Sequence, residues 1–205
     1  MKATRTRVLS VDPRRPDPEL IHEAAVCVQR GGLVAFPTET VYGIAANLND
    51  PQAIQELYFV KQRPFEKQVT IHLADASGVD SYGVLIPPAA QRLMDLFWPG
   101  PLTIVLARSD GSTLGFRVPN HPVALAFLAA ADVPVVAPSA NLSGNPPPST
   151  AQQVMNDLQD KIDLVLDAGP TAIGVSSTVV DFSGQTPRVS REGARFQEIQ
   201  KALAP

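Results

Sequence analysis

Asp17-Pro18 and Asp50-Pro51 constrain this chain more than any other feature. An aspartate followed by proline starts a helix: the carboxylate accepts from orphan amides of the first turn, and proline fixes φ where no N–H is needed. After the first pair, Leu20, Ile21, Ala24, Ala25 and Val28 recur at helical spacing until Gly31-Gly32 stops them. Leu33-Val34-Ala35-Phe36 then reads as a buried strand, with the polar run Pro37-Thr38-Glu39-Thr40 leaving its end. After the second pair, Ile54, Leu57 and Tyr58 mark a helix whose end carries Lys61 just before Pro64.

The same punctuation continues. Strands are predicted over 69–73, 102–107, 115–118, 133–137, 164–167, 178–182 and 188–190, and helices over 89–97, 122–131, 150–158 and 195–203. Helices and strands alternate, yet some strands follow one another directly. That pattern predicts an α/β (α+β) fold with an open sheet of mixed direction rather than an all-parallel one. With no repeat and no linker, the expectation is a single domain over residues 1–205.

A formal net charge of −3 argues against a general electrostatic nucleic-acid binder but leaves room for a local basic groove. The lone Cys27 excludes an internal disulfide and sits in the first helix, where a buried structural thiol is expected. No apolar run approaches the ~20 residues that span a bilayer. Lys2, Arg5 and Arg7 precede no apolar stretch of leader length, so a cytoplasmic protein with no membrane contact is expected.

Phosphate-loop, dinucleotide-binding and nucleophile-elbow motifs are absent, and His22, His72 and His121 lack metal-ligand spacing. What remains is chemistry in which positioned cations stabilise charge. Lys61, Arg63 and Lys67 lie at a helix end; they suit either a phosphoryl-transfer centre or a solvated terminus favoured by the helix dipole. Ser139 and Asn141 follow the apolar run Val135-Val136-Ala137, at the edge where open α/β sheets hold ligands, although Ser, Asn and Gly also form ordinary turns. Thr38 and Thr40 offer hydroxyls for a small amino acid, and Glu39 a partner for a metal or an ammonium group. Arg117, in a strand, must meet a carboxylate side chain or a bound anion. Ser177 and Arg191 add late polar groups beside strands.

Taken in order, Phe36-Pro-Thr-Glu-Thr-Val-Tyr-Gly43, Lys61-x-Arg63-Pro64, Trp98-Pro-Gly-Pro-Leu-Thr103, Arg117-Val-Pro-x-His-Pro122, Ser139-Ala-Asn141-x-Ser-Gly144, Ser177-Thr-Val-Val-Asp181 and Arg191-Glu-Gly193 resemble the threonylcarbamoyl-AMP synthase family, the YrdC-like domain of tRNA modification. The resemblance implies a twisted open mixed sheet with flanking helices, YrdC/RibB-like, in the short single-domain form. It also implies a nucleotidyltransferase that makes threonylcarbamoyl-AMP and pyrophosphate from L-threonine, bicarbonate and ATP. A downstream threonylcarbamoyl transferase complex would then act on tRNA, and any direct tRNA contact of this chain is expected to be weak. The family tetrad falls on Lys61, Arg63, Ser139 and Asn141, expected to be catalytic and ATP-binding together with Lys67 and Arg191. Thr38, Thr40, His72, Arg117 and Ser177 are expected around threonine. Magnesium is expected to travel with ATP, without a protein-held metal site. Lys61 and Arg63 are both expected to be partly exposed. The competing readings are a non-catalytic YrdC-like RNA- or nucleotide-binding protein and a sugar-phosphate lyase on a related sheet. The intact tetrad speaks against the first, and the lack of an acidic cluster against the second.

Overall fold

A computed structural model describes residues 5–203, so Lys2 lies outside the described residues. Both aspartate–proline pairs act as the sequence predicts. Asp17 accepts from the amide of Glu19 at 2.9 Å and opens α1 (Pro18–Gln29). Asp50 accepts from Gln52 and Ala53 and opens α2 (Pro51–Val60). The remaining helices are α3 (Pro88–Phe97), α4 (Pro122–Ala131), α5 (Ala151–Leu158) and α6 (Phe196–Leu203), with a 3-10 helix over Ala76–Tyr82.

The strands are β1 (Arg7–Ser10), β2 (Val34–Phe36), β3 (Gly43–Asn47), β4 (Thr70–His72), β5 (Leu102–Ala107), β6 (Thr113–Arg117), β7 (Val135–Val136), β8 (Leu164–Asp167), β9 (Thr178–Asp181) and β10 (Arg188–Arg191). They form one sheet in the order β1-β8-β2-β3-β7-β4-β6-β5-β9-β10. Its direction is mixed as expected: β1 and β2 run parallel to β8, and β4 to β6, whereas β2–β3, β3–β7 and β5–β6 are antiparallel. Strands β1 and β3 were not anticipated. β1 is short and mostly exposed, and β3 follows a polar motif that reads as loop.

Strand alternation divides the interior in two. On one face, Ala35, Ile44, Val136, Ile71, Phe116 and Ile104 pack under α2, α3, α5 and α6. On the other, Val34, Phe36, Ala45, Val135 and Leu164 pack against α1 and α4. Those two helices cover only the β8-β2-β3-β7 part of their face. Beyond them, the outward residues of β4, β6, β5 and β9 floor an open hollow. No helix among the described residues is long and apolar enough to cross a membrane.

Candidate functional site

The hollow encloses about 250 Å³. Its floor is set by period-two alternation: Thr70 and His72 flank the buried Ile71, Gly115 and Arg117 flank Phe116, and Thr103 and Val105 flank Ile104. Its walls come from the loop after β2 (Thr38), the loop after β7 (Ser139), Arg63 beyond α2, and Ser177 and Arg191 on the β9–β10 side. Gly115 leaves the middle of the floor low, because a Cβ there would lie 3.5 Å from Thr70 Oγ1. Three arginines and no carboxylate line this space, which makes it an anion site. A larger cleft of about 860 Å³ lies between the end of α1 and α2, but its rim mixes Glu23 and Asp163 with Arg7 and Arg30 and converges on no single charge.

The end of α2 decides where the two tetrad cations point. Gln62 takes a left-handed conformation (φ 51), its amide donates to Phe59 O, and the amide of Arg63 donates to Tyr58 O. This double closure is a Schellman motif, which reverses the chain within two residues. Arg63 therefore turns toward the hollow, with Nε donating to Lys67 O (3.1 Å) and Nη2 to Gln68 O (2.8 Å). Lys61 points inward instead and is 1% exposed, which corrects its expected partial exposure. Arg63 is half-buried, as expected. The Lys61 Nζ donates to the main-chain oxygens of Ser139 and Asn141, and the Lys61 carbonyl accepts from Ser143 N. Burial, and then the neighbouring Arg63, lower the Lys61 pKa to about 8.

The two tetrad tracts thus meet, but their side chains do not all line the hollow. Arg63 and Ser139 do; Lys61 and Asn141 stand behind the wall. Asn141 Nδ2 donates to the carbonyls of Leu142 and Asn145, and its Oδ1 is buried without a partner. Asp157 on α5 accepts from Leu142 N and Asn145 Nδ2, pinning the same loop. Lys67 is exposed and lies off the lining; its carbonyl accepts from Tyr58 Oη and Arg63 Nε.

Among the residues expected around threonine, Thr38, His72, Arg117 and Ser177 line the hollow and Thr40 does not. The Thr40 hydroxyl accepts from Arg117 Nη2 (2.8 Å) and shares a hydrogen bond with Thr38 Oγ1 (2.9 Å). Arg117 is buried and pairs with Glu39 at 2.9 Å, so its required carboxylate is an internal one. His72 sits edge-on to Phe36, and burial, followed by the charge of Arg117, lowers its pKa to about 3, leaving a neutral ring. Ser177 Oγ meets Thr103 Oγ1 at 2.8 Å and accepts from Arg191 Nη2 at 3.0 Å. Arg191 is pulled below the usual arginine range by burial and then by Arg117 and Arg63, so the three guanidiniums share one space. Thr70, Thr103, Gly115 and Val179 join the lining without having been anticipated. The available signal was polar or small residues alternating with Ile71, Ile104 and Phe116.

Cys27 is half-buried rather than buried, and its thiol is pushed up to about 11 by burial and by Asp163 and Glu23, which removes it as a nucleophile. Among the described residues no cluster of His, Cys, Asp or Glu is arranged to hold a metal ion.

Comparison with known proteins agrees with this architecture. Threonylcarbamoyl-AMP synthase of Bacillus subtilis is 38% identical over the whole chain, which covers 62% of that protein. The synthase of Pyrococcus abyssi is 39% identical over 89% of the chain and 57% of its own length. The chain thus spans about three-fifths of these relatives. The crystal structure of P. abyssi Sua5 complexed with L-threonine superposes with a TM-score of 0.90 at 38% identity, covering 96% of this chain and 61% of that one. Escherichia coli YciO superposes with a TM-score of 0.83 at 28% identity, over 92% of this chain and 96% of that one. The family model named for Sua5, YciO and YrdC, described as telomere recombination, matches residues 27–193, and the chain belongs to that family.

Proposed function

We propose that this chain is an L-threonylcarbamoyladenylate synthase, a nucleotidyltransferase working in the cytoplasm on L-threonine, bicarbonate and ATP. The observation that carries the reading is a hollow lined by Arg63, Arg117 and Arg191 and by no carboxylate, beside small hydroxyl donors. Relatives named for this activity, and a P. abyssi relative solved with L-threonine, support it.

The lining suits the chemistry of that reaction. The threonine amine attacks bicarbonate carbon, and water leaves, giving a carbamate that must be shielded from solvent. A carbamate oxygen then attacks the α-phosphorus of ATP, the bond to the bridging oxygen breaks, and pyrophosphate departs. Arg63 and Arg191 neutralise phosphate oxygens without solvent reorganisation, and Ser139 adds a neutral donor. Arg117 faces the threonine carboxylate, with Thr38, Ser177 and the neutral His72 around the rest of the amino acid. Lys61 and Asn141 act by holding the Ser139 loop, and Lys67 adds charge outside the mouth. The hollow is smaller than the ~300–1,000 Å³ of drug-sized ligand pockets, so the nucleoside extends through its open side.

Magnesium enters on the triphosphate. The lining offers it no carboxylate, and both Glu39 oxygens are engaged, so no carboxylate of the hollow is free to hold it. The product passes to a threonylcarbamoyl transferase acting on tRNA; a net charge of −3 makes any direct tRNA contact weak. Pyrophosphate release measured with and without threonine and bicarbonate tests the proposal. Release that ignores threonine counts against the synthase, and no release at all favours a nucleotide-binding protein instead.

A further inference from the structure

Arg63 and Arg191 meet only carbonyl and hydroxyl acceptors, whereas Arg117 alone among the lining arginines is paired with a carboxylate. Glu39 is spent entirely on this arrangement: Oε1 accepts from Arg117 Nη2 and Oε2 accepts from Asn120 N at 3.1 Å, ahead of α4. The Glu39 carbonyl also accepts from Ile173 N (2.9 Å), and Thr40 O accepts from Gly174 N (2.8 Å), tying on the segment that leads to Ser176 and Ser177 of the wall. With Nε on Gly100 O and Nη2 on Glu39 and Thr40, Arg117 has Nη1 left without an acceptor among the described residues.

We infer that Glu39 is a positioning residue that divides the hollow into two ends. It clamps and neutralises Arg117 so that Nη1 serves one substrate carboxylate, and leaves Arg63 and Arg191 as the free cations for phosphate. The inference rests on the synthase reading for its substrates, but the clamp itself is made by the chain's own residues. The physical reason is electrostatic. A triphosphate carries more charge than an amino-acid carboxylate and would occupy any uncompensated guanidinium first. Pairing Arg117 with an internal carboxylate lowers its pull on polyanions while keeping a directed donor for a planar carboxylate.

The test compares Glu39→Gln and Glu39→Asp with the wild-type chain. In Glu39→Gln the threonine KM is expected to rise about 10- to 100-fold, while the ATP KM stays within about twofold or falls. Inorganic pyrophosphate should become a stronger competitor of threonine. Glu39→Asp, which keeps the charge on a shorter arm, should lie between, and it carries the test if Glu39→Gln fails to fold. A folded Glu39→Gln (or, failing that, Glu39→Asp) with unchanged threonine KM, or with both KM values raised together, overturns the inference. A second readout needs no activity: the Arg117 Nη–H signal in a 15N spectrum recorded cold enough to slow guanidinium rotation, assigned by its loss in Arg117→Lys, should be protected in the wild type and lost or broadened in the Glu39 variants. If wild-type protein shows no threonine-dependent pyrophosphate release, the synthase reading falls alone, and this signal decides the clamp. Its persistence in the variants overturns the clamp.

Discussion

The ammonium of Lys61 donates to the main-chain oxygen of Asn141 at 2.6 Å across 80 positions of sequence, and to that of Ser139 at 2.5 Å. The cation therefore acts as a strut between the end of α2 and the loop after β7. Arg63, two residues on, faces the hollow.

Removing either cation should lower turnover by about 10²–10³ if each supports one preorganised contact. Stability should separate them. Lys61→Ala leaves buried carbonyls unpaired, costing about 1–3 kcal/mol, or about 2–4 °C of melting temperature per kcal/mol in a chain of this length. Arg63→Ala loses only exposed hydrogen bonds and should melt near the wild-type temperature. Calorimetry on both variants checks this, and equal melting points would refute the strut.

His72 should make the fold acid-sensitive. Its folded pKa is lowered to about 3 from 6.5, so between these values the unfolded chain binds a proton that the folded chain does not. Stability therefore rises with pH across this window and is lost as pH falls, by roughly 2 kcal/mol at pH 5. Urea unfolding at pH 5 and pH 7.5 should show this slope in the wild type and its absence in His72→Gln. A ring signal that titrates near pH 6.5 in the folded protein would contradict it.

Gln62 closes α2 in a left-handed conformation (φ 51) that glycine adopts without steric cost. Gln62→Gly should stabilise the protein by about 0.5–1 kcal/mol, after the greater chain entropy glycine brings to the unfolded state. Denaturant midpoints at unchanged m-value would show it. Destabilisation would mean that the Gln62 side chain carries weight of its own.

Gly115 separates folding from binding. A methyl there meets Thr70 Oγ1 and Val105 Cγ2 only at ordinary contact distances, so Gly115→Ala should fold normally. Gly115→Val raises the floor of the hollow, and its KM for threonine should rise about tenfold or more with little change in melting temperature. Unaltered binding by Gly115→Val would place the substrate elsewhere.

Much of the fold is legible in the sequence because its signals are local. The caps at Asp17 and Asp50, the alanine-rich run of α4 over Pro122–Ala131 and the strands Leu102–Ala107 and Leu164–Asp167 stand where the local sequence puts them. β1 and β3 escape because an exposed edge strand and a strand of small residues after a polar motif carry little periodic signal. The site is legible in part. Arg63, Ser139, Thr38, His72, Arg117, Ser177 and Arg191 converge on one space, whereas Lys61, Asn141 and Thr40 turn to the protein behind it. Motif membership places a residue near a site, but side-chain direction depends on neighbours distant in sequence.

Sequence alone determined the alternation of capped helices and buried strands and the kinds of side chain brought to one sheet edge, since both follow from short-range spacing and chemistry. Tertiary structure alone decided which half of the sheet stays uncovered, that Glu39 neutralises Arg117, and that Lys61 is buried while Arg63 is not. These depend on strand order and on contacts between residues 77 to 80 positions apart, which no local pattern encodes.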